Sequence, residues 1–301
     1  MEIKRLLKKS IANHTVLTDI FGFCLIKFGF ANKYTAGLIT MYKGYDQLRK
    51  KYEKYIGINN LPAPKPVKDK HVWICWWQGI DNAPDVIKLC FNSIQHWLVD
   101  WNIHVITLDN YRQYATFPSY IEEKWEKGVI SNTLMSDLLR IDLLINHGGL
   151  WLDATTLLTG PLPDYIYRNS FFAFRNGWMD NEMINMGNWF LYASQTQNIL
   201  LLETQHLLYE YWKDNDYTKN YFLFHIFFRM VTDRYPKVWN QVPYINHMDQ
   251  HLLIRECQTE KLSDDRIKDI LKTTTIHKLT YKAESVENLI KKVLKISKIY
   301  D

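Results

Sequence analysis

Asp137, Arg140 and Asp153 fall with a Gly148-Gly149 pair inside one short stretch, SDLLRIDLLINHGGLWLDATTLLT (Ser136 to Thr159). The spacing of Asp137 and Arg140 puts both on one face of a helix. The diglycine can adopt the positive φ that stops a helix. Leu150, Trp151 and Leu152 then suit a buried strand, and Asp153 sits at its carboxyl end, where open α/β sheets place their ligands. A carboxylate, an Asp/Arg pair and a crevice make a site for something polar and phosphorylated. The plainer readings are an exposed ion pair worth about 0.2–0.5 kcal/mol and a strand-end cap. Against the first, the helix is otherwise apolar at Leu138, Leu139, Ile141, Leu143 and Leu144, so its polar face is scarce.

Other residue types extend the list. Trp77 closes an apolar run just before Gln78 and Gly79. Glycine lets a ligand approach the backbone, and an aromatic face at a strand end can stack a nucleobase for about 1–3 kcal/mol. The alternative puts Trp77 in the core with Trp73 and Trp76. His277 and Lys278 lie in TTTIHKLTYK, where a histidine can ligate a metal and a lysine can balance diphosphate charge; the alternative is a solvated loop. His225, inside YFLFHIFF, reads as a satisfied core histidine. Asn185 and Asn188 could line an acceptor side, and His147 reads as a C-terminal helix charge.

The elements that must position these residues follow a βαβ rhythm. Strands are predicted over His71 to Trp77, Ile103 to Leu108, Gly149 to Leu152 and Phe171 to Phe174, with helices over Pro84 to Trp97, Ile121 to Lys127 and Leu134 to Asn146. That alternation implies a mostly parallel sheet covered by helices on both faces. Further helices are predicted over Ile199 to Trp212, Tyr221 to Thr232, Asp265 to Leu271 and Ser285 to Lys298.

Ahead of this body, residues 3–13 read as a short basic amphipathic helix. Residues 16–44 are rich in Phe, Leu, Ile and Tyr, but Asp19, Lys27, Lys33 and several glycines interrupt them. A spanning helix needs about 20 mainly apolar residues, so this segment is expected to lie on a membrane or to pack on the body. LPAPKPVKDK (Leu61 to Lys70) reads as a proline-punctuated linker. It divides a basic helical N-terminal arm, 1–65, from a catalytic domain, 66–301.

Charge follows the same division. Residues 1–70 hold fourteen Lys/Arg and five Asp/Glu, a net of +9; the whole chain is +5, leaving −4 for residues 71–301. A basic arm on a mildly acidic body argues against a nucleic-acid surface and for tethering to anionic lipid. A chain of 301 residues with 47% hydrophobic content supports one large α/β domain with additions. The four cysteines (Cys24, Cys75, Cys90, Cys257) show neither paired nor metal spacing, as for free thiols in a reducing compartment. No signal peptide with a cleavage site is visible. Cytoplasmic localisation, peripheral on the inner face of the cell membrane, is the expectation.

SDLLR followed by GGLWLDAT resembles the S-D-x-x-R and G-G-x-x-x-D block of capsular polysaccharide synthesis glycosyltransferases. These are similar to family 32 glycosyltransferases and to the glucosyltransferase domains of large clostridial toxins. HVWICWWQG, DNAPDVIKLCFNSIQHW and IHVITLDNYRQY belong to the same resemblance. It runs from Val72 to Phe174, is weaker from Gly187 to Lys282, and is not seen before Pro66. It implies a GT-A-like, Rossmann-type mixed sheet with the helical arm and helical insertions. It implies transfer, with retention, of a hexose from a nucleotide sugar, UDP-hexose, to a hydroxyl of a surface glycan, the acceptor being lipid-linked.

By the same resemblance Trp77, Gln78 and Gly79 hold uracil, Asp137 and Arg140 hold ribose or sugar hydroxyls, and Asp153 is the first aspartate of a D-x-D motif. Ala154 and Thr155 follow where that motif has its second aspartate. Mn²⁺ or Mg²⁺ is expected on Asp153, Thr155 and His277, with Lys278 on the diphosphate. A hydroxyl is a weaker ligand for a hard cation than a carboxylate. This departure leaves open an alternative in which the chain is a non-catalytic nucleotide-sugar-binding or scaffold subunit.

Overall fold

The computed structural model describes residues 10–11, 15–58, 62–177, 181–258, 262–283 and 285–297. Most of the basic helix expected over residues 3–13 lies outside them, as does Lys298. The architecture is mixed α/β. A five-stranded sheet of order β2-β1-β3-β6-β5 is built from β1 (His71–Cys75), β2 (Asn102–Ile106), β3 (Gly149–Leu152), β5 (Phe171–Arg175) and β6 (Met186–Ala193). β1 runs parallel to β2 and β3, whereas β6 is antiparallel to both β3 and β5. The sheet is therefore mixed, not mostly parallel. The βαβ rhythm does not reveal β6, MGNWFLYA, because three consecutive residues, Trp189 to Leu191, are buried and break any alternation.

Alternation on β1 and β3 sets the two faces. Trp73 and Trp151 point into one core, with α5 (Asn132–Asn146), α6 (Ile199–Asp214) and α7 (Leu223–Arg234). Val72, Ile74, Leu150 and Leu152 point into the other, against α3 (Asp85–Trp97). A second, two-stranded sheet pairs β4 (Thr156–Leu158) with β7 (Ile276–Lys278). It extends onto a smaller core shared by α3, α10 (Asp264–Thr273) and α11 (Ser285–Ile296). Short helices α4 (Ser119–Glu126), α8 (Pro236–Trp239) and α9 (Leu252–Cys257) complete the body.

The N-terminal segment divides differently from the expectation. α1 (Val16–Lys27) lies against α2 (Lys33–Tyr52) and leaves much of its apolar surface uncovered. α2 instead sends Tyr45, Leu48 and Tyr52 into the main core. The side chain of Asn215 donates to the Tyr52 hydroxyl at 2.7 Å, and the buried Glu203 carboxylate accepts the backbone N–H groups of Gly57 and Ile58, both at 2.9 Å. The proline-rich stretch is not a free linker either. Pro66 bridges Gln195, and Val67 N–H donates to the Ser194 carbonyl at 2.9 Å. Prolines suppress helix here but leave enough donors for an extended strip along the sheet. Among the described residues no helix is long and apolar enough to cross a membrane.

Candidate active site

Two parallel neighbours, β1 and β3, end side by side, and their carboxyl ends open into a cavity of about 640 Å³. α5 supplies a second wall. Ser131 caps it, accepting the Leu134 N–H at 3.3 Å, and the helix then carries Asn132, Ser136 and Arg140 to the cavity. It stops where the diglycine turns: Gly148 has φ +64° and Gly149 +90°. A Cβ on Gly149 would stand 2.5 Å from the His71 carbonyl oxygen, so only glycine lets β3 pair with β1 directly after the turn.

Asp153 leaves β3 into this cavity with its backbone N–H on the Trp189 carbonyl at 2.9 Å. Its carboxylate is the centre of the site. One oxygen accepts Lys278 Nζ at 2.8 Å; the other accepts Trp151 Nε1 at 3.1 Å and lies 3.5 Å from Arg140 Nη2. Burial raises its pKa, but the Lys278 and Arg140 charges outweigh that and hold the carboxyl below its ordinary range. It is the only carboxylate among the described residues lining the cavity.

Arg140 is almost fully buried, with its guanidinium over the Trp151 ring at 4.9 Å. It donates to the Asn188 carbonyl at 2.8 Å and to the Ser136 carbonyl at 3.2 Å, and pairs with Asp137 at 3.3 Å. Asp137 does not line the cavity. It stands behind Arg140, accepting Asn188 Nδ2 at 2.9 Å, and burial pushes its carboxyl up to about 6. Its contact is with the arginine rather than with the space a donor sugar would occupy. Asn188 belongs to this support and not to an acceptor wall, and Asn185 bonds Thr232.

Trp77 lines the cavity yet is mostly buried, with Nε1 donating to the Asn132 carbonyl at 3.1 Å and its ring against Trp125 at 4.7 Å. Gln78 lines the cavity; Gly79, at φ +80°, turns the chain beyond it. Trp76, expected in the core, is instead half-buried on the cavity wall, edge-on to Tyr281 at 5.4 Å, with Nε1 lacking a hydrogen-bond partner. Tyr281 and Lys282 lie on the segment after β7, whose register no periodicity in the sequence signals.

His277 and Lys278 are not on a solvated loop. They occupy β7, paired with β4, so strand alternation sends them to opposite faces. Lys278 reaches the cavity and donates to Thr155 Oγ1 at 2.6 Å as well as to Asp153. His277 is fully buried on the other side, its Nε2 at 2.9 Å from the Thr159 hydroxyl, and burial pushes its pKa down to about 3. The expected cation ligands Asp153, Thr155 and His277 therefore do not converge. Among the described residues no three of His, Cys, Asp and Glu gather to hold a metal ion. One carboxylate and one hydroxyl, both already bonded to an ammonium, are a poor donor set for a hard divalent cation.

His225 also departs from its expected role, because its buried Nδ1 has no hydrogen-bond partner; burial, then the Arg140 charge, lowers its pKa to about 3. His147 bonds the Tyr114 carbonyl at 2.8 Å beside the end of α5. Cys90 is buried and Cys75 lies on the cavity wall, both as free thiols.

Known proteins resemble this chain in part. The O-glycosyltransferase braB of Annulohypoxylon truncatum is 29% identical over 108 residues, 33% of this chain and 26% of that protein. The O-glycosyltransferase PaGT of Phomopsis amygdali is 26% identical over 108 residues, 32% of this chain and 26% of that protein. The matched region thus spans about a quarter of each curated relative. Among solved structures, the PaToxG glycosyltransferase aligns with 86% of this chain and 95% of its own at 14% identity and a TM-score of 0.39. The glycosyltransferase GlyE of Streptococcus pneumoniae TIGR4 aligns with 76% of this chain and 60% of its own at 14% identity and a TM-score of 0.43. The profile of the family described as Capsular polysaccharide synthesis protein matches residues 28–295, so the match starts inside the N-terminal segment, where the sequence motifs show no resemblance. Spanning most of the chain and every residue that lines the cavity, that match establishes that the chain belongs to the capsular polysaccharide synthesis protein family.

Proposed function

We propose that this protein is a glycosyltransferase that moves a hexose from a nucleotide sugar, UDP-hexose, to a hydroxyl of a capsular or other surface polysaccharide intermediate. The observation that carries this reading is the Asp153–Lys278–Arg140 cluster in a cavity at the carboxyl ends of two parallel strands. The cavity suits a donor with a flat base, a sugar and an anionic leaving group. Trp76, Trp77 and Tyr281 offer aromatic edges and faces at one wall, and Lys278 and Lys282 offer positive charge. In the reaction the anomeric C–O bond to the donor's terminal phosphate breaks, and its electron pair leaves on the phosphate oxygen. The acceptor oxygen bonds the same carbon and gives its proton to the departing phosphate. Asp153 is engaged by Lys278 and Trp151. Retention at the anomeric carbon is the outcome that the family resemblance implies.

A thermal-shift panel of nucleotide sugars tests the reading. Ligand at about 100 times its dissociation constant adds about 2.7 kcal/mol, which for a chain of this length is a rise of about 4 °C. UDP-sugars should give that rise and release UDP on incubation. No shift with any nucleotide sugar would refute it. Thr155, standing where a second aspartate is expected, favours the scaffold reading; binding without any donor turnover would establish that instead.

The acceptor is proposed to be lipid-linked, met by the protein at the inner face of the cell membrane. α1 and the turn after it expose Leu17, Phe23, Phe28 and Phe30 beside Lys27 and Lys33. An apolar edge flanked by ammonium groups fits an anionic bilayer interface.

A further inference from the structure

We infer that the Lys278 ammonium takes the place of a divalent cation at the donor's diphosphate, so that nucleotide-sugar binding by this chain is metal-independent. The inference rests on the donor-site reading above and specifies its chemistry. An ammonium has three N–H donors. Two are engaged, at 2.8 Å to Asp153 and 2.6 Å to Thr155, and the side chain lines the cavity. The third is available to a phosphate oxygen. Asp153 and Thr155, the two positions that would hold a cation in a D-x-D arrangement, thus hold an ammonium between them. The substitution of the second carboxylate by Thr155 is consistent with this. A +1 ammonium needs one counter-carboxylate where a +2 ion benefits from two, and a hydroxyl accepts its second hydrogen bond without adding charge.

Placement is rigid. Lys278 ends β7, whose partner residue across the ladder is Thr156, and Leu279 N–H donates to the Thr155 carbonyl at 2.9 Å. Backbone pairing therefore fixes the spacing of Lys278, Thr155 and Asp153 before any ligand arrives, as electrostatic stabilisation of a leaving group requires. Lys282, on the same cavity wall, adds a second positive charge towards the diphosphate.

The test is calorimetric titration of the full chain with UDP and with uridine, in excess EDTA and in Mn²⁺. Wild type should bind UDP with the same affinity, within about twofold, in both conditions. Lys278→Met should weaken UDP binding by at least about tenfold in EDTA while leaving uridine binding unchanged; Lys278→Arg should retain most of the affinity. The uridine control separates a phosphate contact from a folding defect, because a damaged site would weaken both ligands. UDP binding that appears only with Mn²⁺, or that Lys278→Met does not alter, overturns the inference and leaves the donor-site reading standing. No binding of UDP or of other nucleoside diphosphates in either condition overturns both.

Discussion

Asp137 provides a quantitative check on the electrostatics of the site. Its carboxyl is pushed from 3.8 up to about 6, chiefly by burial, with Asp153 adding to the rise and Arg140 and Asn188 opposing it. A folded-state pKa above the unfolded one means that the folded protein holds the proton more tightly. The associated stability is full below about pH 4 and is lost as pH rises through about 6. Roughly two pKa units correspond to about 3 kcal/mol. Asp137→Asn removes this titration. The amide oxygen can still accept from Asn188, but its NH₂ lacks the carboxylate's partners, a cost of about 1–3 kcal/mol. That cost is the same at every pH and cancels in the comparison. The variant's melting temperature, measured by scanning calorimetry from about pH 4 to about pH 8, should therefore gain on wild type by about 5 °C as pH rises, from an entropy of unfolding of about 2.1 cal/mol/K per residue. Asp153 titrates in both proteins and contributes little to the difference. A gap that stays constant with pH, or one that closes with rising pH, would refute the assignment of Asp137 as a buried carboxyl ionised at a cost behind Arg140.

Four other outcomes follow from the geometry. Asp153→Asn should lower donor turnover at least about 10²-fold and also lower the melting temperature, since Arg140 and Lys278 both lose a counter-charge; turnover within about threefold of wild type would sink its placement at the centre of the site. Trp77→Ala should weaken UDP binding by about 1–3 kcal/mol and destabilise the fold by about 3–5 kcal/mol through the cavity it leaves; unchanged UDP affinity in the folded variant would make Trp77 a core residue only. Gly149→Ala should destabilise by more than about 2 kcal/mol, because both the +90° φ and the His71 carbonyl oppose a Cβ; circular dichroism melts matching wild type would contradict that. Full-length protein should sediment with phosphatidylglycerol liposomes at low salt and be released at high salt, and Leu17→Ser with Phe30→Ser should abolish sedimentation without changing the melting temperature. Sedimentation unaffected by these substitutions would remove α1 from the docking surface.

The membrane experiment illustrates what the sequence did and did not disclose. The broken apolar run and the +9 charge of residues 1–70 marked an unusual N-terminal segment. They could not show that α2 belongs to the main core, because Tyr45 and Tyr52 each join an apolar ring to a hydroxyl and Leu48 is wholly apolar, a set that suits either a membrane surface or a core. Their partners, Asn215 and Asp214 for Tyr52, are more than 160 residues away. A truncation at Pro66 would therefore strip core side chains, whereas one near Lys33 removes α1 and leaves Tyr45, Leu48 and Tyr52 in place. Likewise Trp76 and Trp77 are adjacent and chemically identical. Only the turn after β1 decides that one leans on Trp125 and the other on Tyr281.

Local signals served well where the chemistry was local. The helix stop at Gly148-Gly149, the strand GLWL and the exit of Asp153 at its end needed no information beyond a dozen neighbouring residues. The cation question was different, because its answer lies in a pairing between β4 and β7 that joins residues 123 and 125 apart. Three-residue strands with no alternation of their own give no periodic signal, and histidine and lysine side by side in a polar stretch look interchangeable as site residues. Once the strand is formed, the pleat makes them opposites: Lys278 goes to the carboxylate, and His277 goes to Thr159 in the interior. A one-residue slip in the β4–β7 register would exchange them, presenting an imidazole to Asp153 and burying an ammonium. The ladder bonds that hold that register, with the Thr159 N–H on the Thr275 carbonyl and the Leu279 N–H on the Thr155 carbonyl, both at 2.9 Å, thus determine which kind of cation faces the cavity.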